Sequence, residues 1–357
     1  MHFPIIESQE RMDKLNVPNK KLHLIIDSDT KNEVDDQFAI TWALRSADRF
    51  FVDALYAAPF SHDCFNQFNE DDGLVKVANS VNGHSEDPAD GMEQSYQEIL
   101  KICKMLGEPT EGRVFRGSKE YLTDCLHPSE SEAARDLVRR AMNSEETLYV
   151  AAIGAATNIA SAILMEPAIV SKIVVVWLGG HALSFGHGIE FNLIQDVKAA
   201  QVLFNSGVPL IWVPCMSVAS LLSLSEAEVN ERLLNNGKAG SYLSALVLNA
   251  FKNPATDIAM MKLLRGSSLR GNHDQSNDYL AQFPTQAVAW SRIIWDVAVI
   301  AALKNPNWTP SILVPSPILS DDFKWKIGDP NRHMIRMVTY CHRNMVFGDM
   351  FKCLSDK

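Results

Sequence analysis

Four aspartates, Asp27, Asp29, Asp35 and Asp36, stand within ten positions at the end of the apolar run 22–26. Carboxylates crowded in this way raise one another's pKa, face solvent or gather a cation. An all-oxygen ligand set suits a hard cation such as Ca²⁺. A carboxylate beside such a cation can activate water for hydrolysis. The spacing does not fit an EF-hand: Lys31 occupies a ligand position, the sixth place is not Gly, and Phe38 stands where the closing Glu is needed. It also departs from an aspartyl-phosphate nucleophile motif, because Thr30 comes one position too early.

Three other segments place polar residues at strand ends or turns. In Ala151-Ala-Ile153-Gly154-Ala-Ala-Thr157-Asn158 an apolar strand breaks at Gly, exposing carbonyls that could serve a cation. Gly179-Gly180 leads into Glu190-Phe191-Asn192, a carboxylate and an amide after a Gly-rich loop. Trp295-Asp296 sets an acid beside an aromatic at the start of an apolar helix. Cys215 follows a strand without an identifiable His partner and reads as core or pocket wall.

The elements that must position these residues alternate. Strands are predicted at 22–26, 51–58, 147–153, 173–178, 209–213 and 333–340, and helices at 34–47, 130–142, 158–165, 196–205, 291–303 and 345–354. Ser129 and Glu132 suggest a capping box at the second helix. Residues 60–94 read as loop-rich with a helical stretch near 74–81, residues 264–285 as a binding loop or lid, and residues 306–317 as irregular. Repeated alternation implies an α/β fold, with a mostly parallel, Rossmann-like sheet covered on both faces. The expectation is one domain over residues 22–357, with a lead-in at 1–21 and a C-terminal extension at 304–357. Ligands in such sheets bind beyond the carboxyl ends of the strands, where the acid cluster falls.

The chain has 357 residues, 46% hydrophobic and 21% charged, which is ordinary globular composition. A net charge of −10 argues against a nucleic-acid partner. No apolar run reaches the length of a membrane helix, and none of the six scattered cysteines forms a C-x-x-C pair. With no signal-peptide pattern at the start, a cytoplasmic protein with reduced thiols is expected.

Taken in order, these motifs resemble those of the nucleoside hydrolase family (inosine–uridine-preferring), over residues 22–303. The family's D-x-D-P-G-x-D-D reads here as Asp27-Ser-Asp29 … Asp35-Asp36, its G-x-L-T-N as Gly154 to Asn158, its E-F-N as Glu190 to Asn192, and its terminal H-D or W-D pair as Trp295-Asp296. The resemblance implies a Ca²⁺-dependent enzyme that cleaves the N-glycosidic bond of ribonucleosides. It implies Asp29, Asp36, Asp296 and the carbonyl of Ile153 as metal ligands. Asp35, Glu190, Asn192 and Asp296 would bind the ribose, whose hydroxyls would complete the shell of the ion, and Asp29 would take the proton of the attacking water. A homodimer or homotetramer is expected by the same resemblance.

Two departures are visible. Asp29 to Asp35 is two residues longer than the family spacing and lacks its Pro and Gly, so Asn32 or Glu33 could reach the site. Trp replaces His at 295, as in the purine-preferring subgroup, where an aromatic stacks on the base. The leaving-group acid is then open among His62, His181, His187 and Asp274, or stacking suffices. Two alternatives remain: a metal- and ribose-binding relative without catalysis, or an N-glycosidase for another ribosyl compound, anionic if Lys31 faces the site.

Overall fold

The computed structural model describes residues 3–67, 83–251 and 291–355. Six parallel strands form the body of the sheet: β1 (Leu22–Ser28), β2 (Phe50–Ala57), β3 (Val114–Arg116), β4 (Leu148–Ala152), β5 (Ile173–Leu178) and β6 (Leu210–Val213). They lie in the order β3-β2-β1-β4-β5-β6, and Met334–Val338 and then Ser311–Pro315 continue past β6. Only the last pairing, between those two segments, is antiparallel. The chain leaves β1 for β2 on one side and returns to β4 on the other. That reversal opens a crevice at the carboxyl ends of β1 and β4.

Successive strand residues serve opposite faces. Leu24 and Ile26 of β1, with Val174, Val176 and Leu178 of β5, enter one core, together with helices Asp36–Leu44, Val297–Lys304 and Arg343–Leu354. Ile25, with Ile173, Val175 and Trp177, enters the other, beneath helices Glu132–Asn143, Thr157–Met165 and Val197–Asn205. Two covered faces explain why the strands read as unbroken apolar runs rather than as alternation. Each fully buried Leu or Ile contributes about 1.5–3 kcal/mol. All nine residues of Asp36–Leu44 are buried, so the acid at its first position is carried into the interior.

Several expectations need correction. The lead-in contains a helix, Ser8–Leu15, with Leu15 buried and Arg11 donating to the Gly207 carbonyl at 2.8 Å. Residues 88–94 are not loop but the start of helix Pro88–Leu106. Asp87-Pro88, within the stretch expected to be loop, is its cap: the Asp87 side chain accepts from the Ala89 amide, and Pro88 sits where no N–H is needed. Helix Glu132–Asn143 is capped by Ser131, not Ser129, so Glu132 falls at its first position and closes no capping box. The segment 291–303 is not one helix. Ser291–Ile293 pairs antiparallel with Ser223–Ser225, and helix Val297–Lys304 begins only after the Trp295-Asp296 turn.

Residues 306–317 include the strand Ser311–Pro315, whose Pro is tolerated because the strand is an edge. The C-terminal extension therefore supplies two of the eight strands of the main sheet. Residues 74–81 and 264–285, including Asp274, lie outside the described residues. No described helix is long and apolar enough to cross a membrane, and all six cysteines are free.

Candidate active site

β1 ends at Ser28, and the loop that follows is tied back on itself. The Ser28 hydroxyl donates to Asp36 Oδ1 at 2.6 Å, and Gln37 Nε2 donates to the Thr30 carbonyl at 2.5 Å. The Asn32 amide donates to the Asp29 carbonyl at 2.8 Å, and the Asn32 side chain approaches Asp29 Oδ2 at 3.4 Å. These bonds turn Asp29, Asp35 and Asp36 inward, each buried. Gly154, at the end of β4, permits the approach. A Cβ there would lie 3.1 Å from both the amide and the carboxylate of Asp29.

Asp296 arrives from the far end of the chain, at the start of helix Val297–Lys304. Its carboxylate lies with those of Asp35 and Asp36, one oxygen from each falling within 4.8 Å of the others. Asp29 lines the same pocket but lies outside this closest trio. Burial drives all four carboxyls above the usual range, and mutual repulsion adds to it at Asp29, Asp35 and Asp296. Asp36 is pushed up to about 7, with the Ser28 hydroxyl holding it back in part. Arg292 draws Asp35 down, though less than burial and its acidic neighbours raise it. Four buried carboxylates in one pocket, with the Ile153 backbone in its wall, form an all-oxygen donor set that fits a hard divalent cation.

Asp27, counted with the cluster in sequence, has a different place. Its Oδ1 accepts from Asn158 Nδ2 at 2.8 Å, and Asn158 Oδ1 accepts from the Ser118 amide at 2.7 Å. Asp27 thus braces the floor between β1 and helix Thr157–Met165, and burial pushes its carboxyl up to about 7.

The opposite wall comes from β5 and the segment after it. Glu190 accepts from the amides of Gly180 (2.7 Å), Asn192 (3.1 Å) and Leu193 (3.2 Å), which lock its carboxylate in place. Gly180 makes this turn at φ 68°, a conformation that favours glycine. Burial outweighs these three donors and pushes Glu190 up to about 7. Asn192 Nδ2 donates to the Leu178 carbonyl at 3.0 Å and approaches that of Ile153 at 3.4 Å. Trp295, Phe191, Leu178 and Cys215 complete the lining, so Cys215 is pocket wall and Trp295 is not plain core.

Other sequence candidates lie elsewhere. Lys31 is 4.0 Å from Glu98 and is not among the described residues that line the pocket. His181 is fully buried and held neutral, with its pKa lowered to about 3 by burial. His62 has Nδ1 3.1 Å from the Ser85 carbonyl and stacks on His84 with ring centres 4.9 Å apart. The Nδ1 of His187 accepts from the Ile189 amide at 3.2 Å. None of these three histidines lines the pocket. Of the two loop residues left open by the sequence, both Asn32 and Glu33 line it. The sequence reading missed Arg292, which donates from Nη2 to Glu33 Oε2 at 2.7 Å; its place three residues before Trp295 was the available signal.

A family model for the inosine-uridine preferring nucleoside hydrolases matches residues 24–308. The chain belongs to that family. Among curated relatives, the pyrimidine-specific ribonucleoside hydrolase RihB of Escherichia coli is 37% identical over 86 residues, 23% of this chain and 28% of that one. A putative pyrimidine-specific ribonucleoside hydrolase RihB of Shigella boydii is 36% identical over 86 residues, 23% of this chain and 36% of its own length. The chain thus spans about a third of the length of the curated relatives it matches.

Among solved structures, the purine-preferring ribonucleoside hydrolase from Gardnerella vaginalis superposes with a TM-score of 0.62 at 19% identity, covering 93% of this chain and 98% of that one. A plant nucleoside hydrolase, PpNRh1, does so with a TM-score of 0.59 at 18% identity, covering 95% and 100%. At these identities the likeness is one of fold.

Proposed function

We propose that this member of the family is a Ca²⁺-dependent ribonucleoside hydrolase that prefers purine nucleosides. One observation carries the reading. Buried Asp29, Asp35, Asp36 and Asp296 face Glu190 and Asn192 across a single pocket whose wall includes Trp295.

Asp29, Asp36, Asp296 and the Ile153 carbonyl would hold the ion. A hard divalent cation held there would supply a lowered pKa for the attacking water and an electrostatic attraction for the ribose hydroxyls. Asp35, Glu190 and Asn192 orient the sugar: carboxylates accept from hydroxyls, and the amide supplies both a donor and an acceptor. Asp29 accepts the proton of the water that attacks the anomeric carbon. The bond to the base breaks through an oxocarbenium-like state, which the surrounding carboxylates stabilise. Since no described histidine lines the pocket, stacking on Trp295 is assigned the role of making the base easier to protonate, and the departing base takes its proton from solvent. The larger purine ring gains most from an indole face.

The test is hydrolysis of inosine, adenosine, guanosine, uridine and p-nitrophenyl riboside, with and without a calcium chelator. Chelator-sensitive turnover of the purines is expected. Uridine turned over faster than inosine would overturn the purine preference. Turnover of the nitrophenyl compound alone would mean an intact ribose site without activation of natural bases.

A further inference from the structure

The acids of the pocket come from two segments distant in sequence, residues 29–36 and residues 295–296. The Asp36 and Asp296 carboxyls are hydrogen-bonded to each other, and two further contacts join the regions. The Asp296 amide donates to Asp35 Oδ2 at 3.3 Å, a long contact, and Arg292 Nη2 donates to Glu33 Oε2 at 2.7 Å, a charge-assisted one. The Arg292 side chain is 5% exposed and that of Glu33 16%. An ion pair at this depth adds little net stability, because desolvation offsets most of the attraction. What a pair in fixed geometry can supply is registry between the parts it joins.

Registry is needed here. Ser291–Ile293 has three residues and pairs with the three of Ser223–Ser225. An isolated two-stranded pairing of that size is marginal in water. Between this pairing and the Trp295-Asp296 turn stands only Ile294, buried, with its amide donating to the Leu222 carbonyl at 3.0 Å. On the other side, Glu33 lies among the five residues between Asp29 and Asp35, and its backbone carbonyl accepts from Gln37 Nε2 at 3.3 Å. That bond ties Glu33 to the first turn of helix Asp36–Leu44.

We infer that the Glu33–Arg292 pair is a positioning clamp, which fixes the Trp295-Asp296 turn against the acid loop and so sets the gap that receives base and ribose. Its effect on turnover rests on the function proposed above; its effect on the two segments does not. Glu33 and Arg292 act through the residues they hold, and neither needs to touch the reacting atoms.

The test uses the full-length protein with Arg292→Gln, Glu33→Gln, the double variant and Arg292→Lys. Amide hydrogen exchange is followed at residues 29–36 and 291–296, and kcat and KM are measured on a nucleoside the unmodified protein hydrolyses. Either neutralising variant should speed exchange in both segments together and raise KM about tenfold, a coupling of about 1.4 kcal/mol. The double variant should be no worse than either single one, because both remove the same contact. Arg292→Lys should stay close to the parent in both readouts.

Faster exchange in one segment only, or additive losses in the double variant, would overturn the clamp. If Arg292→Gln speeds exchange throughout the chain, Glu33→Gln decides the matter by the same two readouts. If the parent hydrolyses no nucleoside, the proposed function fails, while the exchange experiment still decides for or against the clamp.

Discussion

The amide of Asp296 meets the carboxylate of Asp35 at 3.3 Å, joining residues 261 positions apart. Each stands at the N-terminal boundary of a helix, Asp35 before Asp36–Leu44 and Asp296 before Val297–Lys304. Two helix N-termini therefore converge on one pocket, and their partial positive charges favour the carboxylates gathered there. That field offsets only part of the repulsion, since both acids remain well above the usual carboxylate range.

Asp36→Asn should abolish Ca²⁺ binding by calorimetry and lower turnover by at least about 100-fold, as expected for the loss of a metal-holding carboxylate. The same change should stabilise the chelator-treated protein, because it removes one charge from a mutually repelling set. A rise in melting temperature of about 2 °C is expected. A fall would mean that the cluster is neutralised by some other means.

The pH dependence of stability has contributions from Asp36 and Glu190, both pushed up to about 7 in the folded chain, beside those of Asp27 and the other raised carboxyls of the pocket. Unfolded, such groups titrate near 4, so between about pH 4 and 7 the native chain binds more protons than the unfolded one. Their contribution is fully present below pH 4 and is lost as the pH rises through about 7. Urea midpoints measured with chelator should therefore fall over this interval from these two groups. Glu190→Gln should flatten the fall; an unchanged slope would remove Glu190 from the account.

Trp295→Ala should lower kcat/KM for purine nucleosides by about 10- to 100-fold, the scale of one base–aromatic stack. The p-nitrophenyl riboside, whose leaving group needs no protonation, should lose much less. Equal losses on both substrates would assign Trp295 to shaping the pocket rather than to the base.

Asn158→Ala should destabilise the protein by about 3 kcal/mol in urea unfolding, because it strips partners from buried Asp27 and from the Ser118 amide. Gly154→Ala tests the close approach to Asp29. The new methyl meets backbone as well as carboxylate at 3.1 Å, so Ca²⁺ affinity should drop, with a smaller effect on melting temperature than Asn158→Ala.

The alternation of elements was legible because buried parallel strands show themselves as apolar runs of β-branched residues, as in Ile173–Leu178. Asp29 and Ile153, which line the pocket, were legible because each stands where such a run breaks. The short elements were not. Val114–Arg116 and Ser291–Ile293 have three residues each and owe their form to a neighbouring strand, which local pattern does not reveal. Asp87-Pro88 misled because the same pair that opens a turn also opens a helix, and only the apolar stripe Met92, Ile99 and Ile102 distinguishes them. The Glu33–Arg292 pairing spans 259 positions, and although both residues neighbour the motifs, the local pattern at neither end names the other as its partner.

The closing strands of the sheet bear on how the chain comes to be built. Residues through 213 supply six of the parallel strands, but β6 receives its other neighbour, also parallel, only from Met334–Val338. During synthesis the apolar flank of β6 would stay open for more than a hundred residues, a ready template for another chain. Until Met334–Val338 is made, that edge of β6 has no strand of its own chain to pair with.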